Sequence, residues 1–341
     1  MKNISIFAIT CSLSLFASAK VITVNNNTNS PGQYISLQQA IDSASAGDTI
    51  YVHGSATSYG SVNVKKRLNF FGTGHKPNKS NTLVSEIGNI TLDSTITVSG
   101  ASGTRISGFK LSVILGYNGA GGTKNISVNR NYFTSGNTKI SVTGQGWVIQ
   151  NNVIEDLFVN VNNNANTIIR NNIFYKSYIL SSSQPTLVVI NNVFLGNAYS
   201  TSLENVSNAL IANNIFSGPT PNGTNVSNNT FSNNITYQTS NNTIPSGTNT
   251  GSGNLVAQNP LFTNVPTNFF SYSYDYTLTA TSPGKNTGTD GTDIGIYGGV
   301  APFVDMTGTP AIPQVKNLTI LNPVISVGDT LQIILKAKKQ N

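Results

Sequence analysis

One phrase recurs every 20–22 residues between positions 126 and 218, and it constrains the fold more than any other feature of the 341-residue chain. Its copies read ISVNRNYFTS, WVIQNNVIED, TIIRNNIFYK, LVVINNVFLG and ALIANNIFSG. Anchored on the second asparagine, they place Asn131, Asn152, Asn172, Asn192 and Asn214 at spacings of 21, 20, 20 and 22 residues. A degenerate copy, VSNNTFSNNITY, puts Asn234 another 20 residues on. Three residues before each anchor stand Val128, Ile149, Ile169, Val189 and Ile211. Two residues after it stand Phe133, Ile154, Phe174, Phe194 and Phe216. The position two before the anchor varies freely: Asn129, Gln150, Arg170, Ile190, Ala212. That is inside–outside alternation in short strands broken by a corner, with no helical period.

A helix-free repeat of this length fits the coils of a solenoid. Strands of successive coils then pair in parallel about 4.8 Å apart, and equivalent side chains stack. Asparagine suits such a corner, because it tolerates left-handed torsions and its amide can bond the copies above and below. This accounts for 48 asparagines in a chain of which only 9% is charged. So little charge excludes a coiled coil and ordinary charged disorder. The upstream strings TRISGFKL (104–111) and LNFFGTG (68–74) fit earlier turns, with Gly108 in the asparagine region.

The first nineteen residues read as a secretory leader: Lys2, an apolar run over 4–16, and Ala17-Ser18-Ala19 before Lys20. No later run is long and apolar enough to span a membrane. The only cysteine, Cys11, lies in the leader, so the mature chain must hold together by repetitive packing rather than disulfides. A secreted or outer-surface location after cleavage near Ala19 follows. The formal charge of +7 is a small imbalance. Its clusters, Lys65-Lys66-Arg67 and Lys336, Lys338 and Lys339, read as solvated edges. With export, nucleic acid is not an expected partner, whereas a polysaccharide or cell-surface glycan is. A monomer is expected.

Over residues 22–300 the sequence resembles the right-handed parallel β-helix proteins of the pectin-lyase-like superfamily, of the exported bacterial type. ISLQQAIDSASAGDTIYV resembles their N-terminal cap. Ser36 and Gln39 suit a capping box, and Leu37, Ala40, Ile41 and Ala44 share a helical face. NLVAQNPLF and DYTLTATSPGKNTGTDGTDIGIYGG resemble the closing segment. The expected organisation is a leader (1–19), a capped all-β parallel β-helix (20–300), and a linker with a small β appendage (301–341). Pro302, Pro310 and Pro313 mark the linker, and VKNLTIL and LQIILKAKK mark the two strands.

The resemblance implies a choice between enzyme and binder, because this fold hosts both. Lyases of the superfamily need a base and a means of neutralising a uronate carboxylate, often Ca²⁺ held by acids; hydrolases need paired carboxylates. Between residues 94 and 274 the only acids are Glu155, Asp156 and Glu204. Both histidines, His53 and His75, lie outside the regular repeats. No metal site and no cofactor are expected, and Ca²⁺ enters only with the lyase alternative. Asp156 and Lys176 share a column on adjacent coils. They suggest either a lyase base with an acidic partner, helped by Glu155 and Arg170, or an ion pair that fixes register. Phe158 and Tyr178 share another column, with Tyr199 near the next step. They form either a sugar-stacking strip or an internal aromatic ladder. Thr95-Ile96-Thr97 has no counterpart at coil spacing, so an ice-binding array is set aside. The chemical inventory favours a non-catalytic, carbohydrate-binding, adhesive or structural role, with a polysaccharide lyase acting on an acidic polysaccharide (pectate, alginate or a glycosaminoglycan) as the second reading.

Overall fold

The computed structural model describes residues 19–28, 32–77, 83–93, 100–117, 119, 121–134, 138–162, 166–181, 186–196 and 201–339. Residues 1–18, most of the expected leader, and residues 95–97 and 199 lie outside the described residues. The fold is an all-β, right-handed parallel β-helix. Its registers step by the sequence period: Val128 pairs Ile149, Ile149 pairs Ile169, Ile169 pairs Val189, and Val189 pairs Ile211.

Each regular coil has three strand faces. The first is a ten-stranded parallel sheet that runs from Val21–Val24 to Thr230–Ser232. A two-residue corner follows, and then a second face carries Val153–Glu155, Ile173–Tyr175, Val193–Leu195 and Ile215–Ser217. Midway through Val153–Val161 and Ile173–Ser181 the strands kink, and their second halves form the third face. The ladder pairs Glu155 with Tyr175 and resumes at Leu157 with Ser177, leaving Asp156 and Lys176 at the kink.

Both corners are built from left-handed residues. At the first corner φ is +87° at Gly108, +56° at Arg130, +53° at Asn151, +51° at Asn171, +55° at Asn191 and +56° at Asn213. At the kink, Asp156 (+57°), Lys176 (+50°), Gly196 (+83°), Gly218 (+104°) and Gln238 (+53°) form one column. Asparagine and glycine dominate the first column because they bear this conformation at least steric cost.

The repeat pattern assigns both corner duties to one asparagine of each pair, whereas the structure divides them between the two neighbours. The left-handed turn falls to the first asparagine, and the second points inward and forms the ladder. Asn152 Oδ1 accepts from the backbone N–H of Asn131 at 3.0 Å and from its Nδ2 at 3.2 Å. Asn172, Asn192, Asn214 and Asn234 repeat the arrangement at 2.9–3.0 Å. Each Nδ2 also donates to a carbonyl of the coil before, as Asn172 does to Ile149. The column therefore satisfies its own buried polar groups. Beside it the rings of Phe174, Phe194 and Phe216 stack inside the coil, with centroids 4.6 and 5.0 Å apart.

The N-terminal end is closed by the helix Leu37–Ser43. Ser36 Oγ accepts from the Gln39 N–H, and Leu37, Ala40 and Ile41 are buried against the first coils. Trp147 is fully buried and donates its indole N–H to the Thr123 carbonyl.

Residues 255–310 return along the outside of the second face. Their Tyr276, Leu278, Ile294, Ile296, Phe303 and Met306 meet the outward Val153, Ile173, Val193, Ile215 and Ile235 in a second hydrophobic core. The first-corner asparagines fasten this segment. Asn171 Nδ2 donates to the carbonyls of Ile296 and Gly298, Asn191 to that of Gly295, Asn151 to that of Ala301, and Asn233 to that of Thr287. Asn213 exchanges two hydrogen bonds with Thr289, and Arg130 Nη1 donates to the Thr309 carbonyl at 2.7 Å. The two asparagines of each pair thus serve two cores. Beyond it, Pro313–Ile320 and Ile333–Lys339 pair as an antiparallel hairpin.

Candidate functional site

The kink column decides where exposed chemistry can gather, because the returning segment covers the second face and stops beside it. Phe269 of that segment meets the Tyr175 ring edge-on at 6.0 Å and is 53% exposed. On the other side of the kink the strands turn Val159 and Ile179 inward and Phe158 and Tyr178 outward. These two rings are half-buried, with centroids 5.2 Å apart and planes at 38°. The internal aromatic ladder is instead formed by Phe174, Phe194 and Phe216. Asp156, Lys176, Phe158, Tyr178 and Phe269 are thus disposed along one open strip.

The acid–base candidates are not assembled for proton abstraction. Among the described residues, ion pairs form at Lys110–Glu86 and Lys285–Asp293, so Asp156 and Lys176 do not bridge. Lys176 Nζ lies 5.1 Å from the centroid of the Tyr175 ring. Contact with Tyr175, with smaller attraction from Asp156 and Glu155, holds its pKa above the ordinary lysine range. A base must lose its proton at working pH, and this shift has the opposite sign. Glu155 accepts a very short hydrogen bond from the Tyr132 hydroxyl. Burial first, and that carboxylate second, push the Tyr132 pKa up, so its phenol stays protonated. Arg170 lies on the first face, beyond the corner, and donates from Nε to Gln150 Oε1 at 2.8 Å. Burial lowers its pKa. Glu155, Asp156 and Lys176 fall near one kink, and Arg170 is not brought to them by any contact.

No group of three or more His, Cys, Asp or Glu side chains among the described residues could hold a metal. Among the described residues the acidic groups are thus too scattered for a Ca²⁺ site of the kind a lyase would use.

Sequence reasoning missed the cluster under the returning segment. His75 is buried, and its Nδ1 lies 2.8 Å from the Tyr272 hydroxyl. Both rings pack on Tyr132, and Phe270 joins them. Burial, then the neighbouring Tyr132 and Glu155, raise the Tyr272 pKa. His75 and Tyr272 are 197 residues apart, and no local pattern links them. A signal for the covered face did exist. Val153, Ile173, Val193 and Ile215 directly precede the inward apolar residues, and apolar neighbours on both sides of a strand mean burial on both sides.

The Lys65-Lys66-Arg67 cluster borders an open cleft of about 460 Å³ with Gly103 and Asn125. Lys66 Nζ donates to the carbonyls of Asp42 and Ala44 at 3.0 and 2.8 Å, so it caps the N-terminal helix.

The kink tolerates glycine, since the next two coils carry Gly196 and Gly218 there. Lys176→Gly is therefore expected to leave stability unchanged or raise it by up to about 1 kcal/mol. Thermal unfolding reads this, and a loss above about 2 kcal/mol would instead give the lysine side chain a structural role.

No family model matches the sequence, and no curated protein matches it. Among solved structures, the crystal structure of pectate lyase Pel9A aligns with 86% of this chain and 97% of its own, at 12% identity and a TM-score of 0.37. Among the described residues no helix is long and apolar enough to cross a membrane.

Proposed function

We propose that this protein is an exported, non-catalytic β-helix that binds carbohydrate along the open strip beside the kink. The outward pair Phe158–Tyr178 carries this reading. Two rings at coil spacing offer an apolar shelf to the C–H face of a sugar ring. Asp156 and Lys176 flank the shelf and can hydrogen-bond hydroxyl groups. The protonated state of Lys176, the engagement of Glu155 by Tyr132 and the separate position of Arg170 argue against the lyase alternative. The leader, with cleavage near Ala19, accounts for export.

Affinity electrophoresis through gels containing pectin, alginate or a glycosaminoglycan tests the reading. Retention by at least one polymer is expected, and Phe158→Ala with Tyr178→Ala should weaken it by about tenfold, or about 1.4 kcal/mol. Retention unchanged by loss of both rings would remove the strip as the site. Ultraviolet-absorbing unsaturated products released by the wild type, and lost in Lys176→Ala, would establish the lyase instead.

A further inference from the structure

Where the returning segment leaves the last coils it encloses a cavity of about 300 Å³ between Ser217, Tyr237 and Gln238 on one side and residues 259–268 on the other. Two chemistries meet in its lining. A hydrogen-bonded chain links coil and segment, running from Ser217 Oγ to Asn268 Oδ1 at 2.8 Å, from Asn268 Nδ2 to Gln238 Oε1 at 3.1 Å, and from Gln238 Nε2 to the Tyr237 hydroxyl at 3.2 Å. An amide nitrogen has two hydrogens and an amide oxygen two lone pairs, so this chain keeps donors and acceptors for a guest. Phe262, Val265 and Pro266 add apolar surface to the lining. Among the described residues, no Asp, Glu, Lys, Arg or His lines the cavity.

Two of its residues hold costly backbone. Gln238 (φ +53°) and Leu261 (φ +51°) are left-handed without being asparagine or glycine. Preceding coils place glycine at the Gln238 position, at Gly196 and Gly218. A bulky amide kept where glycine would be easier is a local cost that tends to persist where the side chain has a task.

We propose that this cavity binds a single neutral, hydroxyl-rich ring, an uncharged sugar unit. A lining of amides and hydroxyls with a few apolar side chains among them matches a ring with a C–H face and equatorial hydroxyls. The volume stands at the lower end for ligand sites, which suits one ring rather than a chain. The absence of cations in the lining gives a uronate carboxylate no counter-charge. The inference rests on the carbohydrate-binding reading and adds a second site at the far end of the same kink column.

Saturation-transfer NMR on the mature chain with glucose, galactose, xylose and rhamnose, and with galacturonate as the charged probe, tests it. At least one neutral sugar should bind saturably, and Gln238→Gly should weaken it by about tenfold or more without lowering Tm. Phe158→Ala with Tyr178→Ala should leave that binding intact. The proposal is overturned if none of the neutral sugars binds. It is equally overturned if galacturonate competes for the cavity with equal affinity, or if both Gln238→Gly and Asn268→Ala leave affinity unchanged. Polymer retention that depends on the two rings, with no monosaccharide bound, would remove this cavity alone. Monosaccharide binding without polymer retention would remove the strip alone.

Discussion

Asn172→Ala should lower stability by about 3–5 kcal/mol, far more than the same change at an exposed asparagine. Asn172 is fully buried, and its Oδ1 accepts from both the backbone N–H and the Nδ2 of Asn152. Its own Nδ2 donates to Ile149 O, Arg170 O and Asn192 Oδ1. Truncation orphans the Asn152 backbone N–H at a site water does not reach, and weakens several carbonyls at once. A buried unsatisfied group costs about 1–3 kcal/mol, and two or more are created here. Asn172→Asp should be no better at neutral pH. It keeps the acceptor but loses the donors, and sets a buried negative charge against carbonyl oxygens. The neighbouring Asn171→Gly is the informative control. It preserves the left-handed turn and deletes only the two bonds to Ile296 and Gly298, for a loss of about 1–2 kcal/mol. Denaturant unfolding of the three variants reads the difference. Equal, small shifts for Asn172→Ala and Asn171→Gly would contradict the division of duties between the paired asparagines.

Tyr276→Ala should detach the returning segment while the coils stay folded. The Tyr276 ring is 1% exposed and packs against Phe262 and Phe270, with centroids 6.1 and 6.4 Å away. Its hydroxyl accepts from the Ser271 N–H at 3.0 Å. Removing a buried aromatic ring of this kind costs about 3–5 kcal/mol. That loss falls on the second core, to which the coils contribute only outward side chains such as Val153 and Ile173, while the core that holds the coils together lies inside them. Limited proteolysis should then cut within residues 255–310 well before the coil strands, and far-ultraviolet circular dichroism should change little. A single cooperative loss of both parts at the same denaturant concentration would show that the two cores are one folding unit. The cavity beside Asn268 should disappear with the segment, since most of its lining comes from it.

The coil was legible because its chemistry repeats at short range. Equivalent residues are stacked neighbours, so Phe174, Phe194 and Phe216 announce a column before any coordinates exist. The kink was not legible as a kink: Asp156, Lys176, Gly196, Gly218 and Gln238 share a backbone conformation but no side-chain type. Their common feature is a φ angle, and only the glycines hint at it. Asp156 and Lys176 therefore suggested a charge pair, while their positions are set by a turn.

By itself, the sequence determined the period, the inward columns and the capping helix, since each depends on contacts between adjacent coils or within one turn. Tertiary structure alone decided which face the returning segment covers, and so which residues stay exposed. It joined His75 to Tyr272 across 197 residues and faced Asn268 to Gln238 across 30. It also parted the two asparagines of each pair, one inward to the ladder and one outward to the segment. The physical reason is the same throughout. A repeat encodes the distance from one coil to the next, but a segment that turns back along the helix axis chooses its neighbours by complementary surface.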